Sequence, residues 1–483
     1  MEAGAQLLCV LVTCALGPAC KHPDPGPDLQ IVGESLRLRS TDPVPTTSPF
    51  FDGKGVTLVA AKGETLGIQV LHRGGGPVTL TLPGATIAAY NVLQVRALHA
   101  STEMYGGGRG AGEYADELVP ASARGVATDP AYFAITAKAS GEGELVIGTR
   151  HIPVSLSVAA LELPPLPLDV WAYYDPRELG GTVDAPNDAE RACIAMFAEH
   201  GVLLSPDMPP SAWSARKDLV PTHYVPAVIP DDPATAPDAV RAWLAEAPDR
   251  EVFAIPIDEP RTPEARAKVR ALAESVRTAG GGRFHYAVTD EPHPEYGDLV
   301  DLYISPKAAH LTPAEDTRER WTYNGRPPEA GSMVLDAVDP GVRTWGWIAF
   351  RYHIPVWYVW DALYWHDRHN RKNQPPRTLV ASADATSFDD GDDHGNLDGV
   401  LALPGCHPTL RLEALRRGYE DRALLELAAA CHPDETAALA AKMIPRALGD
   451  AKDAPRWPAD PAAWEVARRK LLGLASCGDQ LLR

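Results

Sequence analysis

A chain of 483 residues with 45% hydrophobic content is long enough for two or three domains with a large core, which excludes wholesale disorder. Its formal net charge of −19 sets up a field that repels phosphates, so nucleic acids and anionic membrane surfaces are disfavoured and neutral or cationic ligands fit better. Most of the 11 Trp lie in the second half; the majority serve as core, but an indole face exposed in a pocket stacks well on the apolar face of a sugar ring.

The first 20 residues read as a targeting segment: an apolar stretch from Leu7 to Leu16 is followed by Gly17-Pro18-Ala19-Cys20. Small residues before the cut suit signal peptidase, and a cysteine directly after it resembles the lipobox of bacterial lipoproteins, where the thiol is acylated. Glu2, the lack of Lys or Arg in the n-region and the distance of Leu16 from Cys20 depart from that pattern. The expectation is export to the cell envelope or surface, with a lipid anchor at Cys20 as the sole membrane contact. Residues 21–28, rich in proline, read as a tether. Cys9 and Cys14 leave with the signal, and Cys193, Cys406, Cys431 and Cys477 remain. They lack CxxC spacing, so no metal site is expected; one or two disulfides are permitted, with connectivity open.

From 29 to 161 the pattern is short and alternating, as in Val56-Thr57-Leu58-Val59-Ala60, Val78-Thr79-Leu80-Thr81-Leu82 and Ile152 to Val158. Period-two alternation with Gly and Pro punctuation predicts an antiparallel β-sandwich domain. The Gly-rich insert Tyr105 to Gly112 reads as a mobile loop; it lacks the GKS/T ending of a phosphate-binding loop. Leu161 to Pro167 is a proline-stiffened linker.

The rhythm then becomes strand and helix from 168 to 385. Strands are expected at 168–174, 202–204, 224–229, 252–257, 283–288, 300–304, about 320–323 and 356–360, and helices at 188–200, 236–247, 263–279 and 341–352. About eight such alternations predict an α/β fold, a (β/α)8 TIM-like barrel, behind the sandwich. Residues 386–483 form a C-terminal segment with a short strand at 399–403 and helices at 410–429, 434–448 and after Pro461.

The fourth barrel strand runs into Asp258-Glu259-Pro260, and a second acidic pair, Asp290-Glu291-Pro292, follows the fifth. Polar groups at C-terminal strand ends face the mouth where barrel enzymes do their chemistry. Such a turn also simply caps the next helix, and pattern alone leaves open which pair acts or whether Asp290 and Glu291 contribute. Glycoside hydrolysis needs an acid for the leaving oxygen and a negative group beside an oxocarbenium-like centre. Neighbouring carboxylates point apart, which suits a mechanism where the substrate's own acetamido group attacks, one carboxylate orients it and the other is the acid/base.

Several stretches carry a family likeness: Ile257-Asp258-Glu259-Pro260; Trp321-Thr322-Tyr323 with Pro327; Arg343 through Trp347 to Trp360 and Trp365; Asp398-Gly399 to Pro404-Gly405; and Thr409 to Glu413 with Arg416, Gly418 and Asp421. From about Leu168 to Leu427 the chain resembles glycoside hydrolase family 123 and the wider group sharing its C-terminal domain of unknown function. The resemblance implies retaining exo-hydrolysis of β-linked N-acetylgalactosamine without a cofactor, with Asp258 holding the acetamido group and Glu259 as general acid/base. It further implies that Trp171, Tyr173, Tyr323, Trp360 and Trp365 bind the glycan. The sequence departs from the family pattern at Val356, Val359, Leu363 and Leu403, changes expected near the pocket.

Asp389-Asp390-Gly391-Asp392-Asp393 has the charge of a cation loop but not EF-hand spacing, and reads as a solvated acidic loop. His366 and His369 have no evident third ligand. Arg411, Glu413 and Arg416 read as an internal ion network. The alternative to an exported amino-sugar glycosidase is a catalytically inactive carbohydrate-binding surface lipoprotein, and a third reading leaves the acids as a structural cap.

Overall fold

The computed structural model describes residues 27–122, 125–128, 130–307, 319–338, 340–366, 380–381, 384–385, 387–390 and 393–477. The targeting segment, Cys20, almost all of the tether and His369 lie outside the described residues, as do the side chains of the acidic stretch 389–393.

The first ten strands are β1 (Leu29–Gly33), β2 (Val56–Lys62), β3 (Thr65–His72), β4 (Pro77–Thr81), β5 (Ala85–Ala97), β6 (Gly112–Pro120), β7 (Val126–Thr128), β8 (Ala131–Ala137), β9 (Gly141–Ile147) and β10 (Arg150–Glu162). One sheet runs β1-β3-β8-β5 with β6 on β5, and the other β2-β10-β9-β4-β7. Pairing among these strands is antiparallel except between β2 and β10. Alternation puts Val56, Leu58, Leu80, Ile68, Phe133, Leu145 and Val154 into one core shared by both sheets.

Strand and helix then alternate: β11 (Val170–Ala172), α1 (Asp188–Glu199), β12 (Val202–Leu204), α2 (Trp213–Arg216), β13 (Tyr224–Pro226), α3 (Ala236–Glu246), β14 (Glu251–Ala254), α4 (Pro263–Gly280), β15 (Phe284–Val288), β16 (Leu302–Ile304), β17 (Glu319–Tyr323), α5 (Thr344–Tyr352) and β18 (Trp357–Val359). The eight strands form one sheet in the order β12-β11-β18-β17-β16-β15-β14-β13, all parallel. This is the order around a barrel, with the last strand paired to the first. Closure is incomplete, however, because β12 and β13 do not pair. The helical layer is also uneven: β12 is followed by the four-residue α2, and β15 by a single 3-10 turn, Pro294–Tyr296. Inside the sheet, Trp171, Tyr224, Phe253 and Trp321 pack with ring centroids 5.0–6.5 Å apart, edge to face except for the tilted pair Trp171–Trp321, and so fill the interior.

The C-terminal part contributes a hairpin, Ala402–Leu403 with His407–Pro408, and helices α6 (Leu410–Cys431), α7 (Pro433–Met443) and α8 (Pro461–Ala475). Helix α6 opens on Thr409, whose side chain accepts from Leu412 N at 3.1 Å, satisfying an orphan donor of the first turn. Most of α6 is buried, including Arg411, Arg416, Arg417, Glu413, Glu420 and Asp421. Their partners come from everywhere else in the chain. Arg411 meets Asp116 of β6 at 2.9 Å, and Arg417 meets Glu34, Glu64 and Glu465 at 3.3, 2.6 and 3.0 Å. Glu413 meets His200 at 3.3 Å and Arg416 at 2.5 Å. The expected internal network is therefore present, and it ties α6 to both the sandwich and α8. For this reason the sandwich is not a separate unit: its Val95, Ala97 and Tyr114 belong to the same buried cluster as α5 and α6.

The Gly-rich insert is likewise docked rather than loose. Asp336 accepts from Ser101 N at 2.9 Å and Ser101 Oγ at 2.5 Å, and its backbone carbonyl accepts from Arg109 N at 2.8 Å. The four remaining cysteines pair as Cys193–Cys406 and Cys431–Cys477. Among the described residues no helix is long and apolar enough to cross a membrane.

Candidate active site at the strand ends

Strand β14 stops at Ala254, short of the predicted end, so Ile255 to Glu259 form a loop leading from its C-terminal edge. Glu259 has φ +41°, a left-handed conformation that a side chain makes costly by about 1–2 kcal/mol. Strain of this kind in a loop at a strand end is a pointer to function. Each carboxylate has its own hydroxyl donor. Thr289, one residue beyond β15, donates to Asp258 Oδ1 at 2.5 Å and accepts from Glu259 N at 2.7 Å. Tyr323, the last residue of β17, donates to Glu259 Oε1 at 2.5 Å. Arg261 pairs with the other oxygen, Oε2.

Asp258 is exposed at its outer edge, yet the surrounding protein is enough to push its carboxyl up: burial leads, the Thr289 bond opposes it, and the neighbouring Glu259 charge adds to it. Burial, reinforced by the bond to Glu259, also raises the Tyr323 phenol well above its usual range, so it remains a donor. Two further groups belong to this neighbourhood. The phenol of Tyr358, on β18, is pushed well above its usual range, first by burial and then by the nearby carboxylates of Asp207 and Asp258. Asp207 follows β12 and is pushed up to about 6 by burial alone. Sequence reasoning passed over Thr289, Tyr358 and Asp207; the available signal was their place at C-terminal ends of strands two, five and eight.

The second acidic pair is arranged differently. Asp290 accepts from Tyr296 OH at 2.6 Å and lies 3.5 Å from Arg266 and 3.4 Å from His293. Glu291 lies 3.3 Å from Lys307. Asp290 is thus held inside a local cluster beside α4, and it is Thr289 that reaches the first pair.

The proposed sugar-binding aromatics divide. Tyr323 bonds the acid, and Tyr173, half-buried, follows β11 with its backbone bonded to Val359 O and Ala362 N. Trp360, half-buried, directly follows β18 and donates to Asp398 Oδ2 at 2.8 Å; burial lifts that carboxyl to about 6. Trp171 is only 3% exposed and packs on Phe253 and Trp321 beneath the mouth. Trp365 donates to Ala402 O at 2.8 Å and lines a cleft of about 390 Å3 with Glu178, Leu179, Met196 and the Cys193–Cys406 bridge. That cleft does not contain Asp258 or Glu259, and its carboxylate, Glu178, is taken up by His366 at 2.6 Å. The convergence of carboxylates and hydroxyls, rather than cavity size, locates the candidate site. The departures at Val356, Val359, Leu363 and Leu403 are all buried, at 8, 0, 0 and 3% exposure.

No protein-family model matches the chain, so the expected C-terminal domain of unknown function has no support. No curated protein matches it. Among solved structures, a family 123 glycoside hydrolase from Clostridium perfringens, described in connection with glycolipid glycan hydrolysis, aligns with TM-score 0.63 and 11% identity over 92% of this chain and 97% of that chain. An FMN-binding β-glucuronidase from Facaelibacterium prausnitzii L2-6 aligns at TM-score 0.28 and 10% identity over 77% of this chain and 61% of that one. A β-glucuronidase from Ruminococcus gnavus aligns at TM-score 0.27 and 10% identity over 74% and 65%. The chain shares the fold of the family 123 enzyme along nearly its whole length.

Proposed function

We propose that the chain is a glycoside hydrolase removing β-linked N-acetylhexosamine, N-acetylgalactosamine by resemblance, through substrate-assisted retaining catalysis. The observation that carries this reading is the loop 258–259: two consecutive carboxylates, the second on a left-handed residue, each bonded to its own hydroxyl. Asp258 accepts a hydrogen bond from the substrate's acetamido N–H while the acetamido oxygen attacks C1. The bond from C1 to the leaving oxygen breaks as Glu259 passes its proton to that oxygen, leaving a positively charged oxazolinium ring that Asp258 stabilises. Glu259, now a carboxylate, takes a proton from water; the water oxygen bonds to C1 and the ring reopens with retained configuration. Tyr323 orients Glu259 throughout.

The fold shared with the Clostridium perfringens enzyme supports the reading. Export with acylation at Cys20 completes the proposal, supported by two disulfides, which persist in oxidising compartments. The inactive, carbohydrate-binding alternative is favoured by one observation, the Arg261 ion pair that occupies the second oxygen of the acid. Hydrolysis of chromogenic β-glycosides, led by the N-acetylgalactosaminide, by the chain from Lys21 and its Glu259→Gln variant separates the two. Turnover abolished in the variant is expected; turnover retained overturns the assignment of the acid, and glycan binding without turnover in either selects the alternative.

A further inference from the structure

The indole of Trp360 is fixed from several sides. Its Nε1 donates to Asp398 Oδ2 at 2.8 Å, its backbone N donates to Asn324 Oδ1 at 3.1 Å, and its ring lies 4.9 Å from that of Tyr364. Gly399 makes room for it: at φ +74°, a Cβ there would stand 2.5 Å from the indole Cζ2. Asp398 is itself backed by the turn at Gly395, which packs beside the sandwich loop. Its N donates to Gly395 O at 3.2 Å, and a Cβ on Gly395 would meet the Tyr105 ring at 2.9 Å and Asp398 Cβ at 3.0 Å. On the other side, Asn324 directly follows Tyr323, the residue that bonds the acid. Hydrogen bonds thus run from Asp398 through Trp360 to Asn324, whose chain neighbour Tyr323 bonds Glu259.

We propose that Asp398 is a positioning residue: it sets the plane of Trp360 as the aromatic wall of the sugar site, with Gly395 leaving room for both Asp398 and Tyr105 of the sandwich loop. This rests on the reading that the site takes a sugar. An indole N–H is a donor only, and an ionised acceptor gives the stronger, more directional bond. The apolar face of a sugar ring packs against the wall so held, and a few tens of degrees of rotation would lose that contact.

The test compares Asp398→Asn, Asp398→Leu and Gly399→Ala in the full chain, with Trp360→Phe as the spectral reference. The readouts are acrylamide quenching of the Trp360 emission, obtained by difference, and kcat and KM on the substrate cleaved by the parent. Asp398→Asn keeps an acceptor but loses the charge, and falls between the parent and Asp398→Leu in both readouts. Asp398→Leu and Gly399→Ala raise quenching and raise KM about tenfold with kcat within about threefold, the size of a lost aromatic packing contact. Parental quenching and KM in Asp398→Leu overturn the proposal. So does a joint fall of kcat and melting temperature in all three variants, Asp398→Asn included, since that marks a purely structural residue. A parent without turnover or sugar binding refutes the glycosidase reading, while quenching still decides whether Asp398 sets Trp360.

Discussion

Replacing Thr289 by Val removes a hydroxyl that serves both carboxylates while keeping the branched shape. Two bonds go: the 2.5 Å bond to Asp258 Oδ1 and the 2.7 Å bond from Glu259 N. A hydrogen bond to a charged acceptor contributes about 1.5–3 kcal/mol. Asp258 keeps its outer edge in water, so the lower half of that range applies, about 1.5–2 kcal/mol, or a 10- to 30-fold loss in kcat. The same bond opposes the upward push of burial on the Asp258 carboxyl. Without it that carboxyl rises further, and because the mechanism needs Asp258 ionised, the acidic limb of the pH–rate profile moves to higher pH. Thr289 is 8% exposed and Val fits its space, so melting temperature should change little. Steady-state kinetics from pH 4 to 8 on the β-N-acetylgalactosaminide provide the assay. A Thr289→Val enzyme with parental kcat and an unmoved acidic limb would refute the claim that Asp258 acts as an anion held by Thr289.

Tyr323→Phe deletes the donor to Glu259 Oε1 and should lower kcat about tenfold with KM little changed; an unaltered kcat would count against Tyr323 orienting the acid. Glu259→Gly and Glu259→Ala both lose the carboxylate but differ at φ +41°, so urea unfolding should find the Gly variant more stable by about 1 kcal/mol. Arg417→Met takes the ion-pair partner from buried Glu34 and leaves Glu64 and Glu465 to Arg468 and Arg343 alone, and should destabilise by about 3–5 kcal/mol in the same assay. Burial pushes the carboxyls of Glu34 and Glu420 up to about 7 and about 8. An acid whose folded pKa is raised contributes stability that is full below its unfolded value near 4.5 and lost as pH climbs through the folded one. Glu413 runs the other way: burial is outweighed by Arg416 and His200, which hold it down at about 2, so its contribution is lost only in strong acid. Melting temperature should therefore fall between about pH 4.5 and 8, and Glu34→Gln should flatten that fall.

Legibility in the sequence followed locality. Strands β2, β3, β4 and β10 were readable because each alternates or ends on glycine and proline within its own few residues. β6 was not, since Asp116 and Glu117 make it look like a polar loop. Their partners, Arg411 and His407, stand about 290 residues away, and only the fold brings them into one buried layer. β8, Ala131-Tyr132-Phe133-Ala134-Ile135, is buried on both faces and therefore shows no alternation. In the site, Asp258-Glu259 was visible as a motif, but the same pattern at 290–291 was indistinguishable until Tyr296, Arg266 and His293 were seen to hold Asp290. Trp171 and Tyr173 share one face of a strand, and sequence does not tell which residue lies deep and which reaches the rim. The Gly-rich insert read as mobile because Asp336, which accepts from the backbone of Arg109 and Gly110 and so docks it, lies more than 200 residues downstream.

The most direct test of the central claim is the anomeric form of the first product, followed by proton NMR as the full chain cleaves a β-N-acetylhexosaminide, with and without a thiazoline mimic of the oxazolinium ring. The account predicts the β-anomer at early times and strong inhibition by the mimic, both requiring Asp258 and Glu259. Release of the α-anomer, or turnover indifferent to the mimic, would contradict attack by the substrate's own acetamido group.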